Sequence, residues 1–229
     1  MRQIALDTET TGLEVKDGHR ILEIGCVEII NRTISGQTFH AKINPEREVD
    51  KGAQATHGYT WKMLKGSPLF ADICDDLLSF VGSDEVVIHN AEFDLGFLDA
   101  ELKRMQRLIF KKEVGCRVID TLRMARKKHR GQPASLNALC DRYGIDRSDR
   151  QLHGALKDAN LLAKVYLAMT SGQTNISFDE PSNIDTLNTT VADAVENLSA
   201  EDLKVIEATA EELDRHEKFI ASMNAAREK

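Results

Sequence analysis

The sequence predicts an α/β domain, because short apolar stretches typical of buried strands alternate with segments of helical periodicity. The strand candidates are residues 2–6, 85–88 and 118–119, each bounded by polar or small residues. Helical patterns follow the second and third candidates, and another begins near residue 155. Strands separated by helices are typical of an α/β architecture.

The first predicted strand, residues 2–6, leads directly into two acids, Asp7 and Glu9. Side chains at positions i and i+2 of a strand share a face, so both carboxylates can reach one common point. An Asp-x-Glu pair alone is weak evidence, because polar strand ends commonly carry acids that only contact water. The pair gains meaning from the acids that follow it.

A third acid, Asp94, lies at the start of the helix predicted after residues 85–88, with Asn90 as its N-cap. In the first turn, the helix dipole favours an anion or an anion-bound metal site. The alternative is an ordinary surface acid. Phe93 and Phe97 lie beside Asp94 at helical spacing and favour a half-buried pocket instead.

A fourth acid, Asp158, follows His153 by five residues at the start of an apolar-periodic helix. We expect His153 just before the first turn and Asp158 within it, so that the helix holds the acid and the loop holds the imidazole. For His153 alone, an ordinary surface histidine is the simpler interpretation. The other acidic motifs favour a functional role.

Four other polar residues are expected to have no part in catalysis. Asp120 should end the third strand and cap the helix over residues 122–128. We expect Asp99 and Glu101 on the solvated side of the Asp94 helix, and His89 as a hydrogen-bonded core histidine without a catalytic role.

Four carboxylates and one imidazole indicate a metal-dependent phosphodiesterase. Carboxylate ligands without cysteine or several histidines favour Mg²⁺ or Mn²⁺ over structural zinc. Two such ions about 4 Å apart can activate a water and stabilise both the attacking and the leaving oxygen at phosphorus. An imidazole with an ordinary pKa of about 6.5 can take the proton from that water at neutral pH.

On these motifs, the chain resembles the DEDD exonuclease family over about residues 1–169, in the subclass whose third motif is His-x4-Asp. Residues 7–12, 56–58, 89–91 and 152–170 further resemble the proofreading subunits of bacterial replicative DNA polymerases. The resemblance implies an RNase H-like domain, with a mixed sheet flanked by helices. It also implies hydrolysis of single-stranded DNA from the 3′ end to nucleoside monophosphates.

Residue by residue, the resemblance implies two divalent cations, Mg²⁺ or Mn²⁺, and a general base, His153. The implied metal ligands are Asp7, Glu9, Asp94 and Asp158. The implied contacts to the terminal nucleotide are Thr10, His57 and Phe93.

The implied partners are a single-stranded DNA 3′ end, the polymerase alpha subunit and a sliding clamp. Whether a small accessory subunit also binds stays open. An enzymatic alternative is a stand-alone relative that trims RNA ends or short oligonucleotides. A non-enzymatic alternative is a subunit that mainly stabilises the polymerase.

Residues 170–198 are rich in Ser, Thr, Asn and Asp and contain neither Lys nor Arg, which predicts an acidic, flexible linker. Within it, Gln173, Ile176 and Phe178 resemble a clamp-binding peptide, although the two apolar residues could instead fold back onto the domain. Residues 199–229 predict an amphipathic helix that docks on the polymerase or packs on its own domain. Its apolar stripe consists of Leu203, Ile206, Ala210, Leu213 and Ile220.

The formal net charge of −7 is a property of the tail, because residues 170–229 hold five basic and 13 acidic residues. The four cysteines form no Cys-x-x-Cys pair, which argues against a zinc site and favours reduced thiols. No apolar run resembles a signal peptide or a membrane span. We therefore expect a cytoplasmic protein without a membrane partner.

Overall fold

The computed structural model describes residues 1–148, 152–171 and 216–218. Within these residues, one sheet has the order β3-β2-β1-β4-β5. β2 is antiparallel to both of its neighbours, β3 and β1, whereas β1, β4 and β5 run parallel to one another. The sheet is therefore mixed, as expected. The strands are β1 Arg2–Thr10, β2 Ile21–Ile30, β3 Thr33–Lys42, β4 Glu85–Ile88 and β5 Val118–Asp120.

Helices cover both faces of this sheet. A 3₁₀ turn spans Val15–Asp17. The α-helices of the domain are α1 Lys51–His57, α2 Trp61–Leu64, α3 Phe70–Val81, α4 Ala91–Arg104, α5 Phe110–Val114, α6 Thr121–Lys128, α7 Leu136–Tyr143 and α8 Ala155–Thr170.

Two apolar cores lie on opposite faces of the sheet. On β1, Ile4 and Leu6 pack in a core with residues of α3 and α4. Ala5 packs in the other core, with residues of α6, α7 and α8. Because side chains alternate along a strand, the even-numbered residues of β1 face α4 and the odd-numbered residues face α8.

β1 continues beyond its predicted end at Leu6, because β2 pairs with it as far as Thr10. Asp7 and Glu9 therefore lie within the strand, near its carboxyl end, as predicted. Their cross-strand partners on β2 are Gly25 and Glu23, respectively. The backbone of both acids is fixed by the sheet, and both side chains project on the α8 side.

The prediction for the Asp94 helix was wrong at Glu101. This residue is 3% exposed and accepts hydrogen bonds from Arg20 Nε at 2.6 Å and Arg20 Nη2 at 2.8 Å. Asp99 is half-buried and accepts a hydrogen bond from the backbone nitrogen of Phe110 at 2.7 Å. Helical spacing could not reveal either contact, because both partners come from other elements.

The residues that begin the helices were predicted more accurately than the burial of the acids on α4. Asp120 ends β5 and caps α6, accepting hydrogen bonds from the backbone nitrogens of Leu122 and Arg123. Asn90 is the N-cap residue of α4, but its side chain makes no capping hydrogen bond and its backbone is left-handed, with φ 67°. Asparagine tolerates this conformation better than most residues do.

The predicted linker, with Gln173, Ile176 and Phe178, lies outside the described residues. Of the predicted C-terminal helix, the structure describes only residues 216–218, which are helical. Among the residues that are described, no helix is long and apolar enough to cross a membrane.

Candidate active site

The five residues predicted to carry the chemistry line one cavity of about 280 Å³ at the carboxyl ends of β1 and β4. The odd face of β1 supplies two acids, and the first turns of α4 and α8 supply one each. The imidazole comes from the loop before α8. The cavity is lined in this way by Asp7, Glu9, Asp94, His153 and Asp158.

Asp94 reaches the cavity from the α4 side of the sheet. It is 3% exposed, and its Oδ1 accepts hydrogen bonds from Thr8 Oγ1 at 2.7 Å and from the backbone nitrogen of Thr8 at 3.1 Å. Burial raises the pKa of Asp94 to about 7, although both Thr8 hydrogen bonds favour the ionised form. A cation bound beside it would replace the stabilisation that water no longer provides.

Asp158 and His153 reach the cavity from the α8 side. Asp158 lies in the first turn of α8 and is 3% exposed. His153 precedes the helix by two residues, as predicted, and its Nδ1 lies 3.1 Å from Asp158 Oδ2. Its side chain is 42% exposed, so the imidazole is open to solvent at the edge of the cavity.

The donor set fits a divalent cation. Ligand atoms of Glu9, His153 and Asp158 all lie within 4.8 Å of one another, close enough to share an ion. Asp7 and Asp94 add carboxylates to the same cavity. Oxygen donors in this number match hard divalent cations better than zinc, which favours cysteine and histidine.

Close packing of α8 on β2 brings these groups together. Gly25 is the cross-strand partner of Asp7, and a Cβ atom at this position would overlap the backbone of Ala155 and Leu156. Only glycine therefore lets the start of α8 lie this near to Asp7. Gly25 is not among the residues predicted from the sequence, although a glycine within a strand often marks such a close backbone approach.

Comparisons with known proteins agree with this chemistry. A model of the Exonuclease family, RNase_T, matches residues 4–166. The DNA polymerase III epsilon subunit of Rickettsia felis is 44% identical over 223 residues, which cover 97% of each chain. That of Escherichia coli K12 is 45% identical over 222 residues, which cover 94% of this chain and 90% of the relative. The chain belongs to the exonuclease family of DNA polymerase III epsilon subunits.

Solved structures share the fold of this exonuclease. Exonuclease X, in complex with 5′ overhanging duplex DNA, is 26% identical with a TM-score of 0.58, over 74% of this chain and 90% of its own. Escherichia coli exonuclease I, in a zinc-bound complex with single-stranded DNA, has a TM-score of 0.65. It is 16% identical over 75% of this chain and 41% of its own, so this likeness concerns the fold alone.

The predicted nucleotide contacts of the exonuclease line a second cavity of about 490 Å³, beside the first. Glu9 and Phe93 line both cavities, so the two are neighbours. Phe93 is half-buried, and its ring centroid lies 5.0 Å from that of Phe97. The structure thus places Thr10, His57 and Phe93 next to the acids.

His57 has both ring nitrogens engaged within the fold. Its Nδ1 accepts a hydrogen bond from the backbone nitrogen of Tyr59 at 3.1 Å, so Nε2 carries the proton and donates to the carbonyl oxygen of Thr10 at 3.2 Å. Burial lowers the pKa of His57, which is consistent with a neutral ring. His57 can therefore offer a nucleotide its ring surface but not a hydrogen bond.

His89 also lines the catalytic cavity. Its Nδ1 lies 3.0 Å from Thr121 Oγ1, and burial lowers its pKa. These contacts agree with the expectation of a hydrogen-bonded histidine held in the fold. That it has no catalytic role remains a prediction.

Proposed function

We propose that this exonuclease is the proofreading subunit of a replicative DNA polymerase and removes nucleoside monophosphates from single-stranded or frayed DNA 3′ ends. One observation carries the proposal: four carboxylates and an imidazole, contributed by separate elements, line a single cavity. The relatives named as epsilon subunits match along nearly the whole chain and support the proofreading role.

Asp7, Glu9, Asp94 and Asp158 would hold two divalent cations, Mg²⁺ or Mn²⁺. Such ions supply Lewis-acid stabilisation of the attacking and leaving oxygens at phosphorus. Four ionised carboxylates offset the charge of two divalent cations. Because Asp94 and Asp158 are each 3% exposed, little water competes for their oxygens.

His153 would act as the general base. Its imidazole lies beside Asp158, and its ligand atom lies within 4.8 Å of those of Glu9 and Asp158, next to the oxygens that would hold the cations. The half-exposed ring can accept the proton from that water and release it to solvent. Such a base is typically worth about 10²–10⁴-fold in rate.

The second cavity would receive the terminal nucleotide. Phe93 offers an aromatic surface for stacking, Thr10 offers polar contacts, and His57 offers its ring face. Stacking tolerates every base, so the site needs no sequence preference. A mispaired end frays at a lower free-energy cost than a paired end does, which favours its delivery to the cavity.

Beyond catalysis, the proposed partners are the polymerase alpha subunit, through residues 199–229, and a sliding clamp, through Gln173, Ile176 and Phe178. A small accessory subunit is compatible with these contacts. The proposed compartment is the cytoplasm, where a bacterial replicative polymerase works.

The test measures nucleotide release from mismatched and paired primer ends, with and without Mg²⁺. We expect Asp7→Ala to abolish release and His153→Ala to lose about 10²–10⁴-fold at saturating metal. Asp76→Ala, at an exposed position on α3, is the matched control. Substantial Mg²⁺-dependent release by folded Asp7→Ala would refute the metal assignment. Equal rates on RNA and DNA single strands would favour the RNA-trimming alternative.

A further inference from the structure

A buried carboxylate outside the proposed metal site lies behind the loop that carries His153. Glu23 on β2 is 3% exposed. It lines a cavity of about 670 Å³ that also includes His153 and Gly154 but none of the proposed metal ligands. Glu23 thus contacts the His153 loop from within this larger cavity, apart from the proposed metal ligands.

Both oxygens of Glu23 accept hydrogen bonds. Oε2 accepts from the backbone nitrogen of Ala155 at 3.0 Å. Oε1 accepts from His40 Nε2 at 2.7 Å and from Tyr59 Oη at 3.1 Å. Burial and the neighbouring Glu23 charge raise the pKa of Tyr59 to about 12, so its hydroxyl keeps the proton that it donates.

The bond to Ala155 satisfies a backbone donor at the first position of α8, where no partner within the helix exists. Gly154, the N-cap residue, makes no side-chain capping bond, so a carboxylate from β2 takes that place. A negative charge there also interacts favourably with the helix dipole. Glu23 therefore ties the start of α8 to the sheet.

A second hydrogen bond holds the same loop at His153 itself. The backbone nitrogen of His153 donates to the carbonyl oxygen of Thr56 in α1 at 3.1 Å. The loop is thus held at His153 and at Ala155, by two different elements. Between His153 and Ala155 the backbone has little conformational freedom, so each of the two hydrogen bonds helps to determine where the imidazole lies.

We propose that Glu23 is a positioning residue that sets the place of the His153 imidazole through the backbone of Gly154 and Ala155. This inference rests on the proposed function, in which His153 is the general base. Misplacement of a reacting group by about 1 Å can cost about 10²-fold in rate. Glu23 itself would touch neither substrate nor metal.

Glu23→Gln is the informative substitution. An amide has the size of a carboxylate but has no charge and only one accepting oxygen, so it weakens the hydrogen bond to Ala155 or the contacts with His40 and Tyr59. We expect kcat to fall by about 10–100-fold, with little change in KM for a single-stranded oligonucleotide or in the Mg²⁺ concentration for half-maximal rate. Glu28→Gln is the matched control, because Glu28 is a 7% exposed, hydrogen-bonded acid at the other end of β2.

A double-mutant cycle separates positioning from a general structural effect. If Glu23 acts through His153, then Glu23→Gln should cost less than about twofold in a His153→Ala background. Equal losses in the two backgrounds, or no loss in the wild type, would overturn the inference. Should Glu23→Gln fail to fold, Tyr59→Phe removes only one hydroxyl. It should give a smaller loss of kcat that also disappears in the His153→Ala background, and a loss that persists there would count against positioning.

The same cycle distinguishes the two proposals. A full rate in His153→Ala alone would refute the general-base assignment and, with it, the positioning role of Glu23. A large loss in His153→Ala, together with an unchanged rate in Glu23→Gln, would refute the positioning role alone.

Discussion

Asp94 should destabilise the metal-free protein above neutral pH. Burial raises its pKa from 3.8 to about 7, and one pKa unit corresponds to about 1.4 kcal/mol. Between these two values, the folded protein holds a proton that the unfolded chain has lost, so the free energy of unfolding falls as pH rises. The loss is complete above about pH 7 and is on the order of 4 kcal/mol.

Asp94→Asn removes this cost without changing the size of the side chain. The amide oxygen can still accept both hydrogen bonds from Thr8. We therefore expect the variant to be more stable than the wild type in a chelator at pH 8, by about 1–4 kcal/mol. At pH 4 the wild-type carboxyl is protonated in the fold, so the two proteins should differ little.

Divalent cations should reduce this difference in stability. Binding stabilises the folded state, by about 2.7 kcal/mol at a hundred times the dissociation constant. The wild type gains this stability, whereas Asp94→Asn lacks one ligand and gains less. Because that ligand is missing, Asp94→Asn should not hydrolyse DNA.

Urea unfolding at pH 4 and pH 8, in chelator and in Mg²⁺, measures the free energy of unfolding of the wild type and of Asp94→Asn under each condition. Asp76→Asn, at an exposed acid, serves as the control. If Asp94→Asn were less stable than the wild type in chelator at pH 8, the ionised Asp94 would not carry the burial cost argued here.

Three further outcomes are expected. Gly25→Ala should push α8 away from β2, destabilise the fold by about 1–3 kcal/mol and reduce hydrolysis by about 10²-fold. Wild-type stability and activity would contradict the close packing. Joint replacement of Gln173, Ile176 and Phe178 by Ala should weaken binding to a sliding clamp but spare hydrolysis of free single strands, and a titration with unchanged affinity would show the peptide match to be accidental. Truncation after Gly172 should leave an active exonuclease that no longer co-elutes with the polymerase alpha subunit; loss of folding would mean that the C-terminal stripe packs on its own domain.

The sequence by itself determined the features that depend on near neighbours along the chain. Alternation within a strand placed Asp7 and Glu9 on one face, and helical periodicity placed His153 just before α8 with Asp158 in its first turn. These relations follow from the geometry of a single element, so they need no knowledge of the other elements. The family motifs added the order of the acids and hence the chemistry.

Only the tertiary structure decided which groups meet across the sheet. Asp94 comes from the α4 layer and Asp158 from the α8 layer, and they share a cavity because both helices begin at the same edge of the sheet. The burial of Glu101, the closeness of α8 to Gly25 and the three donors around Glu23 likewise depend on pairs far apart in sequence. Local patterns contain no information about such pairs, because the partner of a side chain in another element is set by how the layers pack.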